Sequence, residues 1–240
     1  MSNESRPAGG RATAAGMNFQ AGVGAWFAAH LATSTSPGER FGLPASALPE
    51  RLQFETAEYL DDIRMDLSDG SIIFVQCKTR PTLSAAKESP LARTIAQLAQ
   101  LLLAYRKAGS EADPSKIAAV LAVASDASGS LDDLEAACRQ FDLGATWAEV
   151  TGRVGAKQLS ALEVLAAAAG LAWEGLKAGV PAPEDLQLLA RLFHVARFEV
   201  EDGGRDRREA GRILGEKLLG EVAGGIGALT TLEQVVNRMT

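Results

Sequence analysis

The segment 61–79 limits the possible folds more strongly than any other part of this sequence. Residues 61–67, DDIRMDL, alternate apolar and polar side chains, which is typical of a strand with one buried face. Residues 71–79, SIIFVQCKT, are almost entirely apolar in their first half, as expected for a strand that is covered on both faces. Asp69-Gly70 lies between the two runs and is a strong signal for a hairpin turn. The sequence therefore predicts a β-hairpin whose second strand lies in the centre of a sheet.

Hydrophobic patterns on either side of this hairpin predict further helices and strands. Apolar residues at helical spacing predict a helix over 17–33, and alternation predicts a strand over 51–57. Downstream, the sequence predicts a capped helix over 89–107, a buried strand over 116–125 and a helix over 130–141. This order of elements predicts an α/β fold, in which a mixed β-sheet is flanked by helices on both faces.

Composition divides the chain into three segments. Residues 1–16 lack the apolar stretch of a secretory signal, and a flexible N-terminal arm is predicted there. Residues 17–149 form the predicted α/β core. Residues 150–240 are rich in Ala, Leu and Glu, which predicts a helical lobe packed on that core, with one β-like interruption at 194–202. The helices expected in this lobe lie near 157–170, 183–193, 206–220 and 228–239.

Overall composition argues against several classes of protein. With 240 residues, of which 47% are hydrophobic, the chain can bury one substantial core. No stretch approaches the roughly 18 apolar residues of a membrane helix, so we expect a cytoplasmic protein without a membrane partner. The net charge of −6 argues against a protein that coats nucleic acid through bulk positive charge. It is compatible with an enzyme that holds DNA through a local basic patch.

The histidines and cysteines are predicted to be structural. His30 and His194 lie in apolar or amphipathic patterns, and Cys77 and Cys138 are far apart with no metal-ligand spacing. Zinc chemistry and HNH-type nuclease sites therefore have little support. The sequence has no G-x-S-x-G motif to suggest a serine hydrolase. We expect the two thiols to be reduced and buried.

Polar residues at the open end of the predicted hairpin form the candidate site. Asp61 and Asp62 begin its first strand, and Gln76 and Lys78 share one face near the end of its second strand. Mg²⁺ prefers oxygen ligands, and a lysine beside it can offset charge on a phosphate. An ordinary salt bridge between Lys78 and either aspartate is the structural alternative, and spacing alone does not decide between the two.

The length of the turn determines which aspartate faces the polar end of the second strand. A strict two-residue turn places Asp61 opposite Lys78 and on its face. A three-residue turn or a bulge places Asp62 on that face instead. Pattern alone leaves both arrangements open.

These residues resemble the PD-(D/E)XK, restriction-endonuclease-like superfamily, in the variant whose middle acidic residue is Gln. The string IIFVQCKTR is similar to the third core strand of Mrr-type restriction enzymes. Residues 9–125 more closely resemble the double-stranded-DNA nuclease domain of bacterial anti-phage effectors, such as those of cyclic-oligonucleotide (CBASS) systems and related NTPase-coupled defence proteins. The elements that carry this resemblance are Gly16-Met17-Asn18-Phe19-Gln20, Asp61-Asp62-Ile63 and the Q-x-K strand.

The resemblance implies a restriction-endonuclease-like fold and a metal-dependent endonuclease that acts on double-stranded DNA. It implies that Asp62 binds Mg²⁺ or Mn²⁺, that Gln76 occupies the usual Glu position, and that the backbone carbonyl of Cys77 is a further ligand. Lys78 would orient the attacking water or help to deprotonate it. The resemblance favours Asp62 as the metal ligand, because it directly precedes the hydrophobic residue, and Asp61 is the alternative.

Other residues are accessory candidates. Gln20 is an accessory group on the first helix, with a surface amide as its alternative. Glu55 and Glu58 are candidate ligands for a second metal ion, with solvent-facing carboxylates as the alternative. Basic residues beyond the site are predicted to hold the DNA backbone, with solvated surface charge as the alternative; they are Arg80, Lys87, Arg93 and Arg106.

The expected partners are double-stranded DNA, further copies of the chain in a homo-oligomer, and a sensor or NTPase domain of the same system. A catalytically silent nuclease-like fold that binds nucleic acid or mediates oligomerisation is the first alternative function. A helical interaction protein with an incidental sheet is the second. Metal-dependent degradation of plasmid DNA distinguishes the enzyme from both, and DNA binding without cleavage selects the silent module.

Overall fold

A computed structural model of the chain describes residues 8–56, 60, 62–220 and 224–239, with side chains from Ala15 onward. The α-helices of this part of the chain are α1 (Ala8–Ala32), α2 (Pro90–Lys107), α3 (Ser130–Cys138), α4 (Trp147–Arg153), α5 (Ala156–Gly175), α6 (Pro183–Leu192), α7 (Arg205–Leu214) and α8 (Gly225–Val236). The strands are β1 (Pro49–Phe54), β2 (Ile63–Leu67), β3 (Ile72–Cys77), β4 (Ile117–Ala124) and β5 (Phe193–Phe198). Short 3-10 helices span Gly38–Phe41 and Arg139–Phe141, and a π-helical turn, Gly215–Leu219, follows α7.

The five strands form one mixed sheet in the order β1-β2-β3-β4-β5. β2 is antiparallel to both β1 and β3, whereas β3, β4 and β5 run parallel to one another. Helices cover both faces of the sheet, so the mixed α/β fold expected from the sequence is confirmed. None of the helices in the described part of the chain combines the length and apolar character needed to cross a membrane.

Strand β3 is buried on both faces because its side chains alternate between two hydrophobic cores. Phe74 lies in the core that the sheet forms with α2, α3, α5 and α6. Ile73 and Val75 lie in the core that it forms with α1, α7 and α8. Burial of a side chain of this size stabilises the fold by about 1.5–3 kcal/mol. The apolar first half of the 71–79 run is thus explained by cover on both sides of the strand.

The N-terminal helix and the fifth strand differ from the sequence-based expectation. Helix α1 begins at Ala8, so part of the predicted arm at 1–16 is helical, and residues 1–7 lie outside the described part of the chain. The β-like segment predicted at 194–202 contains most of β5, which pairs with β4 and completes the sheet. Helix α5 packs on α2 and α3, while α7 and α8 pack on α1. The segment 150–240 therefore covers both faces of the sheet, and its separation as a lobe stays a prediction.

A buried ion pair connects the segment before β1 to the C-terminal part of the chain. Arg40 Nη1 donates to Oδ1 of Asp206 at 2.7 Å, and the Arg40 guanidinium lies 4.1 Å from the centroid of the Phe198 ring. Asp206 is 1% exposed and also accepts the backbone N–H of Glu199 at 2.7 Å. Removal of Asp206 would leave the Glu199 N–H without its acceptor and Arg40 with only the Arg197 carbonyl as a hydrogen-bond partner among the described residues, which is destabilising.

We expect Asp206→Ala to lower the free energy of unfolding by about 1–3 kcal/mol, because the Glu199 N–H loses its acceptor and Arg40 keeps only the Arg197 carbonyl as a described hydrogen-bond partner. Urea denaturation followed by circular dichroism measures this change. Asp202→Ala is the matched control, since the Asp202 carboxylate is fully exposed and pairs with Arg207 at 3.3 Å, and we expect a clearly smaller loss of stability. Equal stability of the two variants would show that the buried pair does not stabilise the fold.

Candidate active site

The β2–β3 hairpin closes with a three-residue turn, 68–70. The backbone N–H of Leu67 donates to the carbonyl of Ser71 at 2.8 Å, so the strand pairing extends to these two residues. Gly70 adopts a φ of 82°, a left-handed conformation that glycine takes without a steric penalty. The structure therefore has the longer of the two turns that the sequence leaves open.

The length of this turn places Asp62 on the polar face of the hairpin. Ile63 pairs with Val75, so the residues that continue this register, Asp62 and Gln76, lie opposite each other. Paired residues on antiparallel strands direct their side chains to the same face. Asp62 thus shares the face of Gln76 and Lys78, as the family resemblance requires. The alternative ligand, Asp61, lies outside the described residues.

The Cys77 N–H and the Lys78 ammonium group are among the partners that hold the Asp62 carboxylate at the end of β3. Asp62 Oδ2 accepts the backbone N–H of Cys77 at 2.6 Å, and Lys78 Nζ lies 3.7 Å from the same oxygen. Asp62 is 8% exposed, whereas the side chain of Lys78 is 35% exposed. A buried carboxylate needs such partners, because a buried charge without them lowers the stability of the fold. The lysine therefore faces both the carboxylate and the solvent.

Gln76 brings a buried amide to the same position. It is 3% exposed, and its Oε1 has no hydrogen-bond partner among the residues that the structure describes. An unsatisfied buried acceptor costs about 1–3 kcal/mol, so the site is better satisfied when a cation or a hydrogen-bond donor binds this oxygen. The structure brings Asp62, Gln76 and Lys78 together as the sequence predicts.

The predicted accessory residues Gln20 and Glu55 also meet. Gln20 Nε2, on α1, donates to Oε1 of Glu55 at 2.6 Å. The backbone N–H of Glu55 donates to the carbonyl of Asp62 at 3.2 Å, which attaches the end of β1 to the start of β2. Glu55 has a φ of 45°, a conformation that costs a non-glycine residue roughly 1–3 kcal/mol. Glu58 lies outside the described residues.

The oxygen atoms at this site suit a hard cation. The described part of the chain contains no group of three or more His, Cys, Asp or Glu side chains that could hold a metal ion. Mg²⁺ needs fewer protein ligands, because it retains several waters and is often bound through one or two carboxylates. The carboxylate of Asp62 and the unpaired amide oxygen of Gln76 fit this requirement. A metal-ligand role for the Cys77 carbonyl stays a prediction.

The histidines and cysteines take no part in this group. Both cysteines are free and buried, and burial raises the pKa of the thiols of Cys77 and Cys138. His30 Nδ1 lies 2.9 Å from the carbonyl oxygen of Thr35, and burial lowers the pKa of both His30 and His194. These environments agree with the structural roles expected from the sequence.

The four basic residues predicted to hold DNA are exposed, and three of them form ion pairs. Arg106 pairs with the buried carboxylate of Asp185. Arg80 Nε donates to Asp126 Oδ2 at 2.9 Å, and Arg93 Nη2 donates to Glu88 Oε2 at 2.5 Å. Lys87 is also exposed. The ion pairs of Arg80 and Arg93 are exposed and contribute little to stability, so a DNA phosphate can compete for these two side chains. Their role in DNA binding stays a prediction.

The loop after β4, for which the sequence carries no functional signal, borders the candidate site. The N–H of Lys78 donates to the carbonyl of Ala122 at 3.0 Å, so β4 ends beside the lysine. Arg197, on β5, holds the loop through donation to the carbonyls of Ser125 at 2.8 Å and Ala127 at 2.9 Å. An isolated arginine carries no sequence signal for such distant acceptors.

No model of a known protein family matches this chain, and no curated protein matches it. Among solved structures, the chain is similar to the Moraxella osloensis Cap4 SAVED/CARF-domain containing receptor, with a TM-score of 0.46 and 9% sequence identity. The match covers 94% of this chain and 43% of that receptor, so this chain spans less than half the length of the receptor. Because the likeness is so distant, it assigns neither a family nor a function.

We expect Gly70→Ala to lower the free energy of unfolding by about 1–2 kcal/mol, because a side chain is strained in the left-handed conformation of the turn. Chemical denaturation measures the effect. Gly170→Ala is the matched control, since Gly170 lies inside α5 with no atom within 4 Å of an added Cβ, and alanine there should stabilise the helix by about 0.5–1 kcal/mol. Unchanged stability of Gly70→Ala would contradict the left-handed conformation of Gly70 in this turn.

Proposed function

We propose that this chain is a metal-dependent endonuclease that hydrolyses phosphodiester bonds of double-stranded DNA. The observation that supports this proposal is the meeting of Asp62, Gln76 and Lys78 at one end of the β2–β3 hairpin. The amide oxygen of Gln76 is buried, and no described residue donates a hydrogen bond to it. The further proposal of an effector domain in a bacterial anti-phage defence system rests on the resemblance of residues 9–125 to such nucleases.

Asp62 and Gln76 would hold the Mg²⁺ or Mn²⁺ ion through a carboxylate oxygen and an amide oxygen. When bound, such an ion polarises the phosphate and lowers the pKa of a coordinated water. Because the glutamine contributes no charge, Asp62 supplies the negative charge of the pair. The N–H of Cys77 keeps that carboxylate in place and directs Oδ2 toward β3.

Lys78 supplies the positive charge of the proposed mechanism. Its ammonium group lies 3.7 Å from Asp62 and is partly exposed, so it can donate to a water or a phosphate oxygen that enters from solvent. A positive charge there stabilises the negative charge that develops on the phosphate in the transition state. The pairing with Asp62 restrains the flexible lysine side chain before substrate binds.

The residues around this group would complete the substrate site. Glu55 is the candidate ligand for a second ion, and Gln20 orients its carboxylate through the 2.6 Å hydrogen bond. Since the net charge is −6, contacts with the DNA backbone must come from a local patch, for which Arg80, Lys87 and Arg93 are the candidates. Homo-oligomer formation and control by a sensor or NTPase domain belong to the same proposal.

We expect the purified chain to degrade circular and linear double-stranded DNA in the presence of Mg²⁺ or Mn²⁺ and to leave both intact in EDTA. Agarose gel electrophoresis measures the cleavage, and loss of the circular form identifies an endonuclease. Double-stranded RNA serves as the substrate control. Retained DNA binding without cleavage at any metal concentration would reject the enzyme and select the catalytically silent module.

We expect Lys78→Ala to reduce the cleavage rate by about 100-fold or more, because the transition state loses its positive partner, while the melting temperature and DNA affinity stay close to wild type. Lys116→Ala is the matched control. Lys116 also pairs with an aspartate of the hairpin, Asp69, at 2.8 Å, but this pair lies at the turn. Full cleavage by Lys78→Ala together with a lower melting temperature would identify the Asp62–Lys78 pair as a structural salt bridge.

A further inference from the structure

A polar cavity of about 380 Å³ lies at the end of the sheet opposite the candidate active site. The active-site lysine follows the C-terminal end of β3, whereas the cavity is bordered by the residues before β4 and by His194 at the start of β5. Because β3, β4 and β5 run parallel, the lysine lies at the C-terminal ends of these strands and the cavity at their N-terminal ends. The cavity is therefore separate from the proposed nuclease site.

Arg191, in the last turn of α6, supplies a cation to this cavity. Among the described residues, its guanidinium has no hydrogen bond or ion pair, and its Nε atom is buried. Asp113 is near enough for Arg191 to contribute to lowering the pKa of that carboxyl group, but hydrogen bonds from Ser115 are the main cause. A buried polar group of this kind is costly without a partner. The cavity therefore presents a guanidinium whose ion-pairing capacity is unused in the described structure.

Arg139, the second arginine of the cavity, pairs with carboxylates and forms its wall, although its buried Nε, like that of Arg191, has no hydrogen bond among the described residues. It pairs with Glu135 at 3.0 Å and with Asp142 at 3.2 Å. Its Nη2 also donates to the carbonyl of Ala190 at 3.1 Å, which attaches the 3-10 helix after α3 to the end of α6. Glu135 and Asp142 together carry one negative charge more than Arg139, so Arg191 brings these four side chains to zero net charge. Of the two arginines of the cavity, Arg191 is the one without an ion pair in the described structure.

His194 closes the inner wall as a neutral ring. It is 6% exposed, and its Nε2 lies 3.3 Å from Nη1 of Arg139. Because a guanidinium can only donate, Nε2 accepts and the ring proton lies on Nδ1, which faces Glu135 at 3.6 Å. The histidine thus adds no positive charge to the cavity, and Arg191 is the cation there that has no ion pair among the described residues.

We propose that this cavity binds a small oxyanionic molecule, whose phosphate or carboxylate group pairs with Arg191. The planar guanidinium of arginine matches both groups through two parallel hydrogen bonds. Small-molecule sites in proteins occupy about 300–1,000 Å³, so the cavity has room for an organic part as well as the anionic group. This site is independent of the proposed nuclease activity.

Titration of the full chain with inorganic phosphate, adenosine monophosphate, citrate and adenosine, at constant ionic strength, tests this assignment. Thermal unfolding and calorimetry measure the binding. We expect at least one of the anionic probes to raise the melting temperature with increasing concentration, while neutral adenosine leaves it unchanged. The responses to adenosine monophosphate and to citrate distinguish a phosphate ligand from a carboxylate ligand. Failure of all three anions to bind the wild-type chain would overturn the proposal.

Arg191→Ala should weaken the binding by about tenfold or more, with a basal melting temperature close to wild type, because no described residue loses a hydrogen bond or ion pair. Arg212→Ala is the matched control, since Arg212 is an exposed arginine that pairs with Glu216 at 2.5 Å, and it should bind as wild type does. Equal binding by wild type and Arg191→Ala would assign the anion effect to general surface stabilisation. A large loss of basal stability in Arg191→Ala would instead make Arg191 structural and overturn the proposal.

Discussion

Burial of β3 and β4 on both faces is the constraint on which the rest of this structure depends. Phe74 enters one hydrophobic core and Ile73 and Val75 enter the other, so neither face of β3 can remain in water. A single layer of helices buries only one face of the sheet, so a second layer must cover the apolar side chains on the other face of such a strand. Helices from both halves of the chain provide this cover, and β5 protects the far edge of β4.

The candidate active site lies where this apolar burial ends. At Gln76 the strand becomes polar while it is still buried. The register of the hairpin places Asp62 opposite Gln76. In a poorly solvated environment each electrostatic contact is stronger, and each unpaired group is more costly. This combination favours a site that binds a cation and a phosphate. In the cavity at the opposite end of the strands, the polar atom without a described partner belongs to a cation, because the Nε of Arg191 is buried there and has no hydrogen bond among the described residues. That cavity therefore suits an anionic group.

Local signals in the sequence account for the elements that could be predicted. Ser89 and Pro90 predict the start of α2, and in the structure the Ser89 hydroxyl accepts the N–H of Ala92 at 3.1 Å. The Asp69-Gly70 signal predicts the hairpin, and Gly70 has the expected left-handed conformation. Helix α4 is missed because it is only seven residues long and its signal is a single capping box at Thr146. Short elements carry too few residues for a periodic pattern to stand out.

The sequence by itself determined that Gln76 and Lys78 share a face at the end of an apolar strand, because alternation along a strand is a local property. It also determined that acidic residues stand across the hairpin from them. Only the tertiary structure decided that Asp62 faces this pair, since a turn longer by one residue reverses the face of every side chain on β2. Only the tertiary structure placed Phe193–Phe198 in the sheet, because its pairing with β4 joins segments that are far apart in the chain. Such long-range pairing depends on the packing of both cores and leaves no local pattern from which it could be read.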